Sequence, residues 1–146
     1  MRRLFIQRLL RLAIPLLGIC TGSASAQSTV VLKLNEGVTL PSVGTVTFVF
    51  AHDERCHVEE QCFAAGGAYA LLWVELGAKK GLVGVATSQQ RLRDIEVSNK
   101  FFGTEFCFVR LEPKPSLDSP VAPQARTLTF SVQRSASLAS RCAGGA

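Results

Sequence analysis

The sequence predicts an all-β domain, an antiparallel β-sandwich or small barrel of about seven to eight strands, stabilised by disulfides. Three observations carry that expectation. Apolar residues alternate with period two in several short segments, turn residues interrupt the chain roughly every ten positions, and an even number of cysteines follows an export leader.

The leader comes first. Arg2, Arg3, Arg8 and Arg11 precede an apolar run from Leu12 to Cys20, and small residues close on Ala24-Ser25-Ala26. This is the pattern of a secretory signal peptide over residues 1–26, cleaved after Ala26, and it directs the mature chain to the periplasm or out of the cell. The apolar run is too short, and too closely followed by Gly22, Ser23 and Ser25, for a lasting transmembrane helix. No later segment is long enough either, so the mature chain is expected to carry no integral membrane segment. Ile19 before Cys20 is a branched residue where a lipoprotein signal has a small one, which argues against lipidation. Arg2-Arg3 also matches the twin-arginine signal, so the general secretory and twin-arginine routes both stay open.

Removing the leader changes the charge argument. Of the sixteen basic residues four lie in the leader, which leaves twelve against eleven acids in the mature chain. That near balance gives no electrostatic reason to bind nucleic acid or an anionic membrane. Residues 27–146, about 120 in number, fit one domain. The stretch from about residue 134 (RSASLASRCAGGA) is small and polar and reads as a flexible tail.

The elements follow in order. Val30, Leu32 and Leu34, opposite Val31 and Lys33, make a short first strand. Val46, Phe48 and Phe50 alternate with Thr45, Thr47 and Val49, which places those three on one core-facing side. In AYALLWVEL, Ala68 to Leu76, both alternating sets are apolar, so the segment reads as a central strand covered on both faces or a buried helix; the flanking Gly66-Gly67 and Gly81 favour the strand. Further strands are expected at Gly81 to Thr87, Ile95 to Ser98 and Thr104 to Leu111, and a short helix at Ser88 to Asp94. Pro113 and Pro115 end the strand before them, and Ser116 to Gln124 is a long loop. Leu128, Phe130 and Val132, alternating with Thr127, Thr129, Ser131 and Gln133, close the domain with a half-buried strand.

Cys56, Cys62, Cys107 and Cys142 remain after the leader, and two disulfides among four cysteines allow three connectivities. Pairing Cys56 with Cys62 and Cys107 with Cys142 is favoured, because the first closes a tight loop and the second pins the tail to a strand. The first loop, DERCHVEEQC from Asp53 to Cys62, holds the densest chemistry in the chain. His52, Cys56, His57 and Cys62 are ligand types for zinc or copper, but the spacing matches no specific signature, and cysteines joined to each other are not thiolates. On a strand end, His52 and Cys56 share a face while His57 points away. A redox role is disfavoured, because no C-x-x-C occurs and Glu59 and Glu60 raise a neighbouring thiol's pKa. Asp53, Glu54, Glu59 and Glu60 supply oxygens for calcium, yet Arg55 competes and no EF-hand spacing appears. Both histidines lie in and beside this loop and no G-x-S-x-G occurs, so no Ser-His-Asp set is visible. Tyr69 and Trp73 share one face of an apolar strand and read as core.

DERCHVEEQCFAAGG resembles an uncharacterised group of small secreted bacterial β-domain proteins with the signature D-S-R-C-P-x-x-V-x-C-x-W-x-G and a downstream L-x-P-x-P segment. Asp53, Arg55, Cys56, Cys62 and Gly66 match the first part, and Leu111, Pro113 and Pro115 match the second. The opening VVLKLNEGVTL is similar to that group's first strand and turn, so the resemblance covers roughly Val30 to Gln133. Glu54, His57, Glu60 and Ala64 depart from it, standing where the group has Ser, Pro, an apolar residue and Trp, and Cys107 and Cys142 are additional to it. The resemblance implies an all-β domain with a disulfide-closed loop and no particular activity. In that motif Arg55 is expected to pair with Asp53 or a neighbouring strand's carbonyls, and Gly66 to supply a backbone angle closed to other residues.

The sequence therefore reads as an exported, non-catalytic binding or envelope-interaction module, with a protein or envelope component as its partner and no cofactor. The loops Asp53 to Cys62 and Ser116 to Gln124 are its expected contact surfaces. The alternative is a periplasmic metal-binding protein using His52 and His57 with nearby Cys or carboxylates.

Overall fold

The computed structural model describes residues 27–63, 66–135 and Cys142. The leader with its expected cleavage point, Ala64, and the expected tail apart from Arg134, Ser135 and Cys142 lie outside the described residues.

Among the described residues, eight strands, one short α-helix and, between β7 and β8, a 3-10 turn (Pro123–Ala125) follow in the order β1 (Ser28–Lys33), β2 (Gly37–Leu40), β3 (Gly44–Asp53), β4 (Ala68–Leu76), β5 (Lys79–Ala86), α1 (Gln89–Asp94), β6 (Lys100–Phe101), β7 (Thr104–Glu112) and β8 (Thr127–Arg134). They form two four-stranded sheets of order β1-β8-β7-β6 and β2-β3-β4-β5, every pairing antiparallel. The two sheets stay separate, so the fold is an open sandwich and the barrel alternative is not realised.

Period-two patterning builds the core. Val46 and Phe48 of β3, Ala70, Leu72 and Val74 of β4, and Val83 and Val85 of β5 face Phe106, Phe108 and Leu111 of β7 and Leu128 and Phe130 of β8. Phe48, Phe106 and Phe130 are fully buried, each contributing about 1.5–3 kcal/mol by leaving water. Phe106 and Phe130 meet at a centroid distance of 6.2 Å.

Three expectations need correction. Phe50 does not join Val46 and Phe48 in the core, because the β3–β4 register shifts between Phe48 and Phe50, and Phe50 is left 44% exposed. The extra residue of a bulge inverts the facing of everything after it. Tyr69 and Trp73 lie on the outward side of β4 and are half-buried, since the inner side is already filled by Ala68, Ala70, Leu72 and Val74. Ile95 to Ser98 is no strand: the Glu96 amide donates to Arg93 O and the Val97 amide to Leu92 O, and Glu96 takes φ +55, so the chain closes α1 and turns. Ser98 then accepts from the Gly84 amide and covers part of the β5 edge. α1 itself starts on its cap, with Ser88 Oγ accepting from the Arg91 amide.

Candidate functional site

Asp53 ends β3, and its side chain is only 1% exposed. A carboxylate taken out of water is tolerated when charged donors replace the water. Arg55 Nε donates to Oδ1 and Nη2 to Oδ2, both at 2.7 Å, and the Arg55 amide adds a 3.2 Å bond to Oδ1. Arg126, immediately before β8, donates from Nη1 to Oδ2. Arg55 Nη2 also donates to Leu111 O of β7 at 2.6 Å. One carboxylate thereby ties the end of β3 to both middle strands of the opposite sheet. Burial alone raises the Asp53 pKa, but the hydrogen bonds and charge of Arg55, joined by Arg126, outweigh it and hold the group below its ordinary value.

The return of the loop explains Gly66. The Glu54 amide donates to Gly67 O at 2.8 Å, which presses the two chain segments together. Gly66 sits at φ +56, and a Cβ there would lie 1.8 Å from Glu54 O, so neither the angle nor the space admits another residue. Outside this node, Glu54 is bonded to His52 Nε2 at 2.9 Å and to Arg91 of α1, and its pKa is lowered first by the His52 bond and then by Arg91.

Beyond Asp53 the chain makes the bridged loop. Cys56 and Cys62 are joined, with a Cα separation of 5.9 Å. His57 Nδ1 lies 3.0 Å from Glu60 Oε2. Glu59 reaches across to the second loop: Ser116 Oγ donates to its Oε1 and the Leu117 amide to its Oε2. The Ser116 bond, and behind it the Leu117 amide, holds the Glu59 pKa below its ordinary value. The Val58 amide donates to Pro115 O at 3.2 Å. The two loops therefore form one rim, on which Val58 and Leu117 are exposed, and Phe63, next after Cys62, is exposed as well.

Asp53, Arg55 and Gly66 thus meet in one node, while His52 and His57 are engaged by different carboxylates, Glu54 and Glu60. Arg55 meets both kinds of partner that the motif admitted, Asp53 and a strand carbonyl, that of Leu111. Arg126 has no signal in the sequence, because nothing local marks a residue distant in sequence as the donor to a buried acid. The donors at Asp53 are occupied by fixed protein acceptors, so this node is a brace that positions the rim.

A second polar cluster lies on the outward side of β7. Glu105 and Cys107 alternate with the core residues Phe106 and Phe108, yet Glu105 is fully buried and Cys107 nearly so. Asn99 Nδ2 donates to Glu105 Oε1 at 3.3 Å and Gln133 Nε2 to Oε2 at 3.1 Å. Cys107 is joined to Cys142, with a Cα separation of 5.2 Å. The carboxylate and the two sulfurs lie within 4.8 Å of one another. A readable signal existed: Glu105 is the one acid inside TEFCFV, two positions from a cysteine.

Two disulfides fit an extracytoplasmic, oxidising compartment. No helix among the described residues is long and apolar enough to cross a membrane. No protein-family model, curated protein or solved structure matches the chain.

Proposed function

We propose that this chain is an exported, non-catalytic module of the cell envelope, freed of residues 1–26 by cleavage after Ala26, that binds a protein or envelope component through the rim of its two loops. The observation that carries this reading is the display of Val58 and Leu117, exposed by 62% and 55%, on two loops bonded to each other, with Phe63, fully exposed, directly after the bridge. Exposed apolar groups on flexible segments lose entropy when a partner orders them; on a braced loop that loss is already met during folding. The brace is the Asp53 node on one side of the bridge and the Glu59 bonds to Ser116 and Leu117 on the other. The resemblance of the motif to the small secreted β-domain group implies an all-β domain with a disulfide-closed loop and adds no activity.

The test is site-specific photocrosslinking from position 117 in the export compartment. A discrete adduct that disappears in the Val58→Ser, Phe63→Ser double variant, with its circular dichroism unchanged, supports the rim as the contact. An adduct that survives the double variant, or none at all, removes the carrying observation. The metal reading through His52 and His57 predicts instead that the oxidised protein binds zinc and loses it in the His52→Ala, His57→Ala variant.

A further inference from the structure

Two open sheets leave four edge strands, and the unpaired backbone groups of an edge bond to any strand that reaches them. Three of these edges are short or covered. β6 has two residues, β2 has four and opens on Gly37, and β5 gives its Gly84 amide to Ser98 O. β1 is different. Its six residues pair with β8 in unbroken register, and Ser28 to Leu32 hold no charge, proline or bulge of the kind that blunts an edge.

The ladder fixes which groups face outward. In an antiparallel pair, residues that exchange both backbone bonds with their opposite number alternate with residues whose N–H and C=O point away. The Leu34 amide donates to Arg126 O, the position opposite it when Lys33 faces Thr127. Leu32, Val30 and Ser28 therefore bond to β8, and Lys33, Val31 and Thr29 turn their N–H and C=O to the free side. Lys33 agrees with this phase: its amide donates to Glu36 Oε2 at 2.8 Å and its carbonyl accepts from the Glu36 amide at 2.9 Å. Glu36 thus closes the edge at Lys33, while the outward groups of Thr29 and Val31 have no partner among the described residues.

We infer that this edge is a homodimer interface, in which two copies of the chain join β1 to β1 antiparallel about a two-fold axis at Val30. In that register Thr29 of each copy lies opposite Val31 of the other, and the two pairs exchange four hydrogen bonds, which satisfy every group left free within β1. A second copy fits better than an unrelated strand, because the free groups repeat themselves under the two-fold and the Glu36 cap denies a longer strand any bond at Lys33. The side chains fit as well: Val31, 57% exposed, packs on Thr29 on the outer face, and Val30 meets Val30 on the core side. The two Lys33 side chains stand six strand positions apart, about 20 Å, where salt screens them. The two-fold reverses one copy against the other, so the rims, each at the Lys33 end of its own β1 where Arg126 meets Asp53, face opposite ways. The pairing does not depend on what the rim binds.

Sedimentation of the oxidised, exported protein over a concentration series is the test. The expected result is a reversible rise in mass from one chain towards two. Val31→Pro removes an N–H that the fold does not use, so it is expected to keep the circular dichroism of the parent and to sediment as a monomer. Should Val31→Pro not fold, charge decides instead. Thr29→Lys, Val31→Lys sets like charges opposite each other in the proposed register and Thr29→Lys, Val31→Glu sets opposite ones, so the second is expected to dimerise about tenfold more tightly at low salt. Val58→Ser, Phe63→Ser, which alters the rim alone, is expected to dimerise like the parent. A protein that stays monomeric up to its solubility limit, a dimer that survives in folded Val31→Pro, equal dimerisation of the two charge variants, or a dimer lost with the rim residues overturns the inference.

Discussion

The two disulfides are held in opposite ways. Cys56 and Cys62 close six positions of sequence on an exposed loop, beside the node that Asp53, Arg55 and Arg126 form by ion pairs and Gly66 by its close approach to Glu54. Cys107 and Cys142 span 35 positions and tie the chain end to a buried position in the middle of a sheet. Around the first bridge, ion pairs and backbone constraints do most of the ordering; at the second, the bond joins Cys142 to β7 in a buried setting, with Asn99 Nδ2 3.4 Å from the Cys142 sulfur. A cysteine pair therefore carries weight according to what else holds its two ends.

Breaking the node rather than the bridge is the sharpest way to test that contrast. Asp53→Asn leaves two half-buried guanidinium groups facing a neutral amide, and removing one partner of a buried pair costs about 3–5 kcal/mol. Chemical denaturation of the oxidised proteins at neutral pH measures it. Arg55→Ala is expected to cost more than Arg126→Ala, because Arg55 supplies the fork and the bond to Leu111 O while Arg126 supplies one donor to the carboxylate. An unchanged melting temperature in Arg55→Ala contradicts the brace outright. The acid limb follows from the lowered Asp53 pKa: the stabilisation is complete above the unfolded value of about 3.9 and is lost as pH falls through the folded one. The difference between parent and Asp53→Asn is thus constant near neutrality and shrinks below about pH 4.

Next come the bridges themselves. On the chain-entropy account the Cys107→Ser, Cys142→Ser protein loses about 4 kcal/mol and the Cys56→Ser, Cys62→Ser protein about 2. The short loop should show its full entropic loss, because the node keeps it near its folded shape after the bond is gone and the folded state gains no freedom to offset it. Equal losses in the two variants contradict the contrast drawn above. Gly66→Ala is expected to cost about 1–3 kcal/mol, comparable with loss of the short bridge, since the angle and the Glu54 carbonyl must both give way.

What the sequence revealed divides along the same line. Alternation in TVTF and TLTFSV reached the core directly, because each inward side chain there is decided by its own strand. Phe50 escaped, because a bulge is set by pairing with β4 and leaves no mark in β3 alone. Tyr69 and Trp73 escaped for a related reason: with both alternating sets apolar, only the opposing sheet decides which set is inside. At the candidate site, Asp53, Arg55 and Gly66 stand within one motif and were legible together, whereas Arg126, and Ser116 as the partner of Glu59, arrive from loops that only the folded sandwich brings near.

The smallest expected effect tests whether the rim is stiff on its own account. Glu59 is exposed and Ser116 half-buried, and polar pairs at the surface add little to global stability because water competes for the partners. Glu59→Ala should therefore leave the denaturation midpoint where it was. Locally the outcome differs: the Leu117 amide loses its acceptor, so its hydrogen exchange should accelerate, and the Val58 amide bonded to Pro115 O should follow to a lesser degree. Amides of β3 and β7 should not change, because the Asp53 node secures them independently. Faster exchange at Leu117 alone means that the two loops are pinned by separate bonds; unchanged exchange means that Glu59 does not join them, and the rim has one brace where two are argued. A fall in the midpoint together with faster exchange in β7 places the rim inside the cooperative core, and the division between a bridge supported by its surroundings and one that supports them then fails.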